Sequence, residues 1–399
     1  MASNGIKDRV AIVGMGCTPF GEHWSKGPED LLVDSATEAY KSAGIDPDAV
    51  DAYWLGTMGS GVSGLMLSEA LKLPYKPVTR LENMCATGSE AIRNAAYAVA
   101  SGAYDLVMAI GVEKLKDSGY SGLVISSPPN DGTQSNMTAP AMFSLLAPAY
   151  AKKYGVDDDQ LKQVLARIAW KNHRNGAKNP KAQFRKEVPM DAICKSPSVA
   201  GMLGIFDCSG VSDGSAAAIL CRAEDAHKYS KNPIFIKALS FAAGPAEGNF
   251  SQDYDFTSFP EVVASSADAY KQAGVKDPRN EISMAEVHDC FTPTELVLME
   301  DMGFSPRGTA WKDVLDGRFD GEGPQPVNPD GGLKSFGHPV GASGLRMMFE
   351  AYLQLRGEAP EDRTISSISG DRNLALTHNL GGYPGEMVSF VSILGATQD

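Results

Sequence analysis

The chain has 399 residues, 43% of them hydrophobic and 21% charged, with a formal net charge of −13. That length predicts two packed units, and the acidic balance excludes a general nucleic-acid binder, which needs clustered Lys and Arg. The six separated cysteines (Cys17, Cys85, Cys194, Cys208, Cys221, Cys290) form no C-x-x-C pair, which argues against a disulfide scaffold or a zinc site and for a reducing compartment.

In chain order, Val10 to Gly16 reads as a strand ending in a tight turn. Its Gly14-x-Gly16 lacks the third glycine and the following helix of a dinucleotide site, so no nucleotide cofactor is expected. Before it, Met1 to Arg9 shows no secretory signal, Gly395 to Asp399 shows no peroxisomal tripeptide, and no run is long enough to span a bilayer. The expected location is the cytoplasm, away from the membrane. Leu31 to Ala43 is helical by spacing and stops at Gly44, while Ala52 to Gly56 is a strand. An Ala-rich helix follows Cys85 and ends at Gly102, then Leu106 to Gly111 forms an apolar run suited to a strand buried on both faces.

From about 116 to 200 the texture changes, and an insertion is predicted. Pro128, Pro129, Asn130 and Gly132 mark loops, and two helices are expected at Ala141–Tyr154 and Asp158–Asn172. Met142, Phe143, Leu145, Leu146 and Tyr150 are expected core residues. Strand texture returns at Ser215–Leu220, and a second series starts near Pro233. It comprises strand Ile234–Ile236, helix Val262–Ala273, strand Met284–His288, helix Leu345–Leu355 and strand Met387–Leu394. Both halves run strand, helix, strand, then a reactive residue at a helix start, which favours layered α/β packing.

Four segments carry chemistry. In Asn83-Met84-Cys85-Ala86-Thr87-Gly88-Ser89, small residues after the thiol leave room for a substrate. A helix N-terminus contributes roughly 0.3–2 kcal/mol toward the thiolate, so the nucleophile still wants a base. In Gly337-His338-Pro339-Val340-Gly341, the glycine allows close approach and Pro339 suits a first helical turn. His288 and Cys290 in Glu286–Pro293 are two apart, hence on one side of an extended strand; the alternative is a metal pair, poor without a third donor. In His378-Asn379-Leu380-Gly381-Gly382, paired glycines can turn N–H groups toward a ligand or simply make a turn. Basic residues concentrate between Lys162 and Lys186. Either Lys171 and Arg174 meet the phosphates of a ligand, or this is a solvated helix face.

Taken in order, the Cys85 segment, Phe206–Ala218, His288–Phe291, Gly337–Gly341 and His378–Gly381 resemble the thiolase superfamily along essentially the whole chain. The closest likeness is to its sterol-carrier-protein-type and archaeal/bacterial acetyl-CoA acetyltransferase branch. The resemblance implies a five-layered αβαβα fold from two similar halves, 1–225 with the insertion and 232–399. It implies a thiolase acting on a 3-oxoacyl-CoA through an acyl-Cys85, with coenzyme A as substrate and no metal. Cys85 would be the nucleophile, His338 its base and Cys290 the acid/base group. His288 with His338, and the backbone N–H groups of Cys85 and Gly381, would form two oxyanion holes. Ser209 and Ser212 would join Lys171 and Arg174 as CoA contacts. The chain departs from common thiolases at Asn379, where those carry their acid/base cysteine. Partners implied are acyl-CoA, a second copy of the chain, and a small zinc-ribbon/OB-fold protein. The competing readings are a condensing enzyme of the same superfamily and an acyl-binding subunit active only with that partner, for an aryl substrate such as benzoylsuccinyl-CoA.

Overall fold

The computed structural model describes residues 5–116, 138–245, 251, 253–370 and 372–398. Pro128, Pro129, Asn130 and Gly132, expected as loop residues, lie outside them. Eleven strands are present among the described residues: β1 Val10–Cys17, β2 Ala52–Gly56, β3 Val78–Leu81, β4 Leu106–Glu113, β5 Ser198–Ala200, β6 Leu203–Gly204, β7 Gly214–Arg222, β8 Ile234–Ala243, β9 Ile282–Glu286, β10 Leu374–Tyr383 and β11 Glu386–Gly395. β5 and β6 form a small ribbon, and the others run β3-β2-β4-β7-β1-β8-β11-β10-β9.

This order is its own mirror. Setting aside the extra edge strand β3, one half reads β1, β7, β4, β2 outward from the centre and the other follows the same plan as β8, β11, β10, β9. β2 and β4 are parallel, as are β9 and β10, while β7 and β11 run antiparallel to their neighbours. The halves meet through only two β1–β8 pairs, Ala11 with Phe235 and Ile12 with Ile234.

Alternation along the strands sorts side chains into layers. Val10 and Ile12 of β1 join a core with Ala91, Ile92 and Ala95 of helix Thr87–Ala100 and Leu345 and Met348 of helix Ser343–Leu355. Ala11 and Val13 turn the other way, against Leu31, Leu32 and Ala36 of helix Pro28–Ala43. A third core holds Val262 and Ala269 of helix Pro260–Ala273, Val391 and Ile393 of β11, and much of the insertion. The result is helix, sheet, a shared central helix pair, sheet, helix: a mixed α/β, thiolase-like five-layered architecture. Every residue of β1 and β4 is buried, as a strand covered on both faces requires.

The central helices start against each other because glycines stand where their N-terminal segments meet. A Cβ on Gly111 would lie 2.0 Å from the Gly341 carbonyl oxygen, and one on Gly88 2.9 Å from the same atom. A Cβ on Gly344 would sit 2.2 Å from Ser89 Oγ. Only glycine permits this approach, and it draws the Cys85 and His338 loops together.

Several expectations change. The Ala141–Tyr154 helix is two helices, Ala139–Phe143 and Leu146–Tyr154, and Leu145 at the break is 43% exposed rather than core. The next helix runs on to Ala177, capped by the Asp157 carboxylate accepting from the Gln160 N–H. The His378 segment is not a turn but part of β10, paired with β11. Among the described residues, no helix is long and apolar enough to cross a membrane.

We expect Gly111→Ala to lower stability by about 2 kcal/mol or more, since the Gly341 backbone must move, and to reduce activity along with it. A denaturant midpoint beside a turnover assay checks both.

Candidate active site

Cys85 lies two residues before helix Thr87–Ala100, in a turn where Met84 adopts a φ of 51°. That left-handed conformation is uncommon for a side-chain-bearing residue. Thr87 holds it, its hydroxyl accepting from the Asn83 N–H at 2.8 Å and donating to the Met84 carbonyl. Across the turn, a Cβ on Gly381 would lie 2.5 Å from the Asn83 carbonyl oxygen. The absence of a side chain there lets β10 press on the Cys85 turn.

The tertiary fold brings Cys85 Sγ, a ring nitrogen of His288 and a ring nitrogen of His338 within 4.8 Å of one another. The two imidazoles meet edge to face at 5.2 Å. His288 is 1% exposed, His338 3% and Cys290 5%. Cys290 stands outside this three-atom cluster but is close enough that Cys85 helps raise its pKa.

Hydrogen bonds fix which nitrogen of each ring carries the proton. The Ser343 hydroxyl donates to the Pro339 carbonyl at 2.9 Å, so towards His338 Nδ1, 2.7 Å away, it accepts. His338 therefore holds its proton on Nδ1, and its buried Nε2 has a free lone pair and no hydrogen-bond partner among the described residues. His288 is the reverse. Ser89 Oγ donates to Asn379 Oδ1 at 3.0 Å, which turns Asn379 Nδ2 to donate to His288 Nδ1 at 3.0 Å. His288 is left with its proton on Nε2. One ring is an acceptor and the other a donor, as a proton acceptor and an oxyanion partner must be.

The electrostatics keep the site uncharged at rest. Burial pushes the Cys85 thiol up to about 12, aided by Glu113 and Glu82. Burial and the Arg346 charge take His338 down to about 3, and burial, then His338, depresses His288 strongly. Cys85 and His338 thus rest as thiol and neutral imidazole. Arg346, wholly buried and paired with Glu286 and Asp330, ties helix Ser343–Leu355 to the end of β9.

Other sequence expectations are corrected here. β9 ends at Glu286, so His288 and Cys290 lie in the loop beyond it, not on an extended strand. Pro339 does not open a helix, because the following helix starts at Ser343. Lys171 is 4% exposed and bound to Glu295 at 2.9 Å and to the Val327 carbonyl at 2.6 Å, which leaves it none of the access a CoA phosphate needs. Arg174 is held on the surface by both Glu322 carboxylate oxygens. Ser212 Oγ accepts the His338 N–H at 3.0 Å and donates to Gln183, so it supports the His338 loop instead of facing a ligand. Ser209 stays at the site, its N–H donating to the Cys290 carbonyl at 2.9 Å.

Two residues escaped the sequence reading. Asn379 was noticed only as a missing cysteine; it sets the His288 tautomer. Glu113, a carboxylate closing the otherwise apolar strand β4, is fully buried. Its Oε1 accepts from Thr57 Oγ1, Gly59 N–H, Ser60 N–H and Ser60 Oγ, and its Oε2 accepts from Met58 N–H and Gly341 N–H, all at 2.8–3.1 Å. It anchors the His338 loop to the other half of the chain.

Because the thiol is raised to about 12, alkylation of Cys85 by iodoacetamide is expected to accelerate about tenfold per pH unit from pH 6 to 10. A plateau near neutral pH would reveal a resting thiolate. Glu113→Gln, which removes the second-largest cause of that shift, is expected to move the curve to lower pH.

The chain matches the family model "Thiolase, N-terminal domain" over residues 10–224 and "Thiolase C-terminal domain-like" over 242–396. It is 35% identical to an acetyl-CoA acetyltransferase of Methanothermobacter thermautotrophicus, over 94% of this chain and 97% of that one. It is 32% identical to human sterol carrier protein 2, over 94% of this chain and 70% of that protein. Among solved structures, the Ltp2-ChsH2(DUF35) aldolase shares the fold, with a TM-score of 0.82, 23% identity and 99% of each chain covered. With family models spanning both halves and a Cys–His–His cluster where they meet, the chain belongs to the thiolase family.

Proposed function

We propose that this protein is a CoA-dependent acyltransferase that cleaves or forms a 3-oxoacyl-CoA through an acyl-Cys85 intermediate. The observation that carries the reading is the 4.8 Å cluster of one sulfur and two ring nitrogens, with opposite tautomers on the two rings. In the cleavage direction, Cys85 Sγ attacks the 3-oxo carbon while His338 Nε2 takes the thiol proton. The C2–C3 bond breaks, C3 stays on sulfur as an acyl group, and the electron pair moves into an acetyl-CoA enolate. Cys290 protonates C2 and becomes a thiolate, which takes the proton of a second CoA thiol as that sulfur attacks the acyl carbon, and Cys85 leaves with the proton returned by His338. The His288 Nε2–H, with His338 once protonated, faces the enolate oxygen. The backbone N–H groups of Cys85 and Gly381 face the tetrahedral oxyanion. Donors held ready where charge develops contribute about 10²–10³ each in rate.

The neutral resting pair suits this scheme. A buried thiol with an uncharged base beside it transfers its proton only as an acyl group arrives to take the sulfur's electrons, which limits side reactions.

A homodimer is supported by β3, an edge strand, and by exposed apolar residues near it, Leu65, Tyr75 and Met84. Dependence on a small partner protein is the second reading, because the Ltp2-ChsH2(DUF35) assembly shares this fold. Cys290 argues against a purely condensing enzyme, which has no use for a second thiol.

Cys85→Ser is expected to abolish labelling by a radioactive acyl-CoA; label retained on the variant would place the nucleophile elsewhere. Cys290→Ala should still take up label yet lose most turnover, and normal turnover would remove its role. A panel of short-chain, branched and aryl 3-oxoacyl-CoA thioesters, assayed with and without a candidate partner, identifies the acyl group. Thiolysis restored only on adding the partner would favour the second reading.

A further inference from the structure

The acyl-transfer scheme asks opposite things of Cys290. It gives a proton to C2 as a thiol, then stands as a thiolate until a second CoA thiol arrives. That thiolate forms in a hostile place. Cys290 is 5% exposed, and burial, with Cys85 from the facing turn and Asp289 from its own loop, raises the thiol well above its ordinary range. Most polar groups nearby are already engaged. Asp289 accepts from the Leu333 and Lys334 N–H groups and from Asn172 Nδ2. The Thr292 hydroxyl donates to Asp207 at 2.6 Å, and the Asn379 amide donates to His288. From the backbone, only the Phe291 N–H favours the thiolate.

Thr294 differs from these. It is wholly buried, in the first turn of helix Thr292–Asp301, four residues after Cys290. A threonine hydroxyl in a helix ordinarily donates to the carbonyl four residues back. Here that carbonyl belongs to Cys290 itself, and it accepts the Ser209 N–H at 2.9 Å. Thr294 Oγ1 lies instead 3.9 Å from Cys290 Sγ, the hydroxyl's one hydrogen-bond partner among the described residues. Such a bond is long while the sulfur is neutral, and bonds of this kind tighten as charge develops on the acceptor. The backbone around it is pinned. Cys208 bridges Phe291 in antiparallel fashion, and Asp207 holds Thr292, so a turn of one hydroxyl is the movement required.

We propose that Thr294 is a positioning residue for the proton-transfer half of the reaction, its hydroxyl donating to Cys290 Sγ whenever that sulfur is a thiolate. The inference rests on the acyl-transfer reading above. An uncharged donor suits a group with two duties. A lysine in its place would hold the thiolate permanently and leave no proton for C2, whereas an apolar residue would leave the anion without a side-chain donor. A hydroxyl follows the proton. While Cys290 is a thiol either atom can donate, and once it is a thiolate only Thr294 can. The S–H proton of Cys290 goes to C2, the S–H proton of the incoming CoA replaces it, and Thr294 keeps its own throughout.

The test sets Thr294→Val, which keeps the shape and removes the hydroxyl, against Thr294→Ser, which keeps the hydroxyl. Three readouts are taken on the full chain. They are acyl label on Cys85, exchange of the acetyl-CoA C2 protons for solvent deuterium, and iodoacetamide alkylation of Cys290 in a Cys85→Ser background, located by peptide mass spectrometry. Thr294→Val should take label as the wild type does. Its C2 exchange should fall about tenfold or more, and its Cys290 alkylation should slow by a similar factor across about pH 7–10, the effect of losing one hydrogen bond to a charged group. Thr294→Ser should restore both. If the valine variant melts early, Thr294→Ala takes its place in the same comparison. Wild-type exchange and alkylation without the hydroxyl overturn the proposal. Equal losses in Thr294→Ser overturn it too, because they would mark the residue as packing alone. Absence of label on Cys85 in the wild type would instead sink the acyl-transfer reading, while slowed Cys290 alkylation in Thr294→Val would still show the hydroxyl's hold on that sulfur.

Discussion

The structure depends on a contact in which side chains are missing. Gly88 and Gly111 from one half approach Gly341 from the other so closely that any Cβ would collide with backbone. The two sheets share only two residue pairs across their seam, so the pairing of the central helices has to register the halves. A few tenths of an ångström there move the Cys85 turn relative to the His338 loop, and protein interiors resist such shifts because they are close-packed. Glu113 reinforces the same junction by hydrogen bonding, since one carboxylate gathers N–H groups from both halves.

That junction also governs the electrostatics. A thiol and two imidazoles are held where water is scarce, with a buried anion on the sulfur's side and the buried Arg346 charge acting on the rings. Each influence opposes ionisation. Ser343 and Asn379, from different elements, then give the two rings opposite proton positions. Reactivity is a property of position here more than of any intrinsically activated residue.

The insertion is tied into this arrangement through a polar seam. Asn172 donates to Asp289 and Glu295 at 2.7 and 2.8 Å, Lys171 pairs with Glu295, and Asn328 donates to Glu295 and accepts from the Val287 N–H. Asp289 separates His288 from Cys290, so the long inserted helix grips the loop that carries both residues through their shared neighbour. Breaking one member of such a network leaves a buried charge unanswered. The Lys171 that composition marked as a ligand contact belongs to this seam.

By itself the sequence determined the layered α/β architecture, most strands, and the segments that hold Cys85, His288, Cys290 and His338. These follow from local causes: hydrophobic period, glycine stops, and small residues around reactive ones. Only the tertiary structure decided what those segments do together. The tautomers depend on Ser343 and on an Asn379–Ser89 pair 290 residues apart. The roles of Lys171 and Ser212 depend on partners far along the chain, and Glu113 looks like an ordinary polar strand end until six donors converge on it. A charged or hydroxyl side chain reads alike in sequence whether it meets a ligand or a buried partner. Which it meets is fixed by packing over long sequence distances, and no local pattern encodes that.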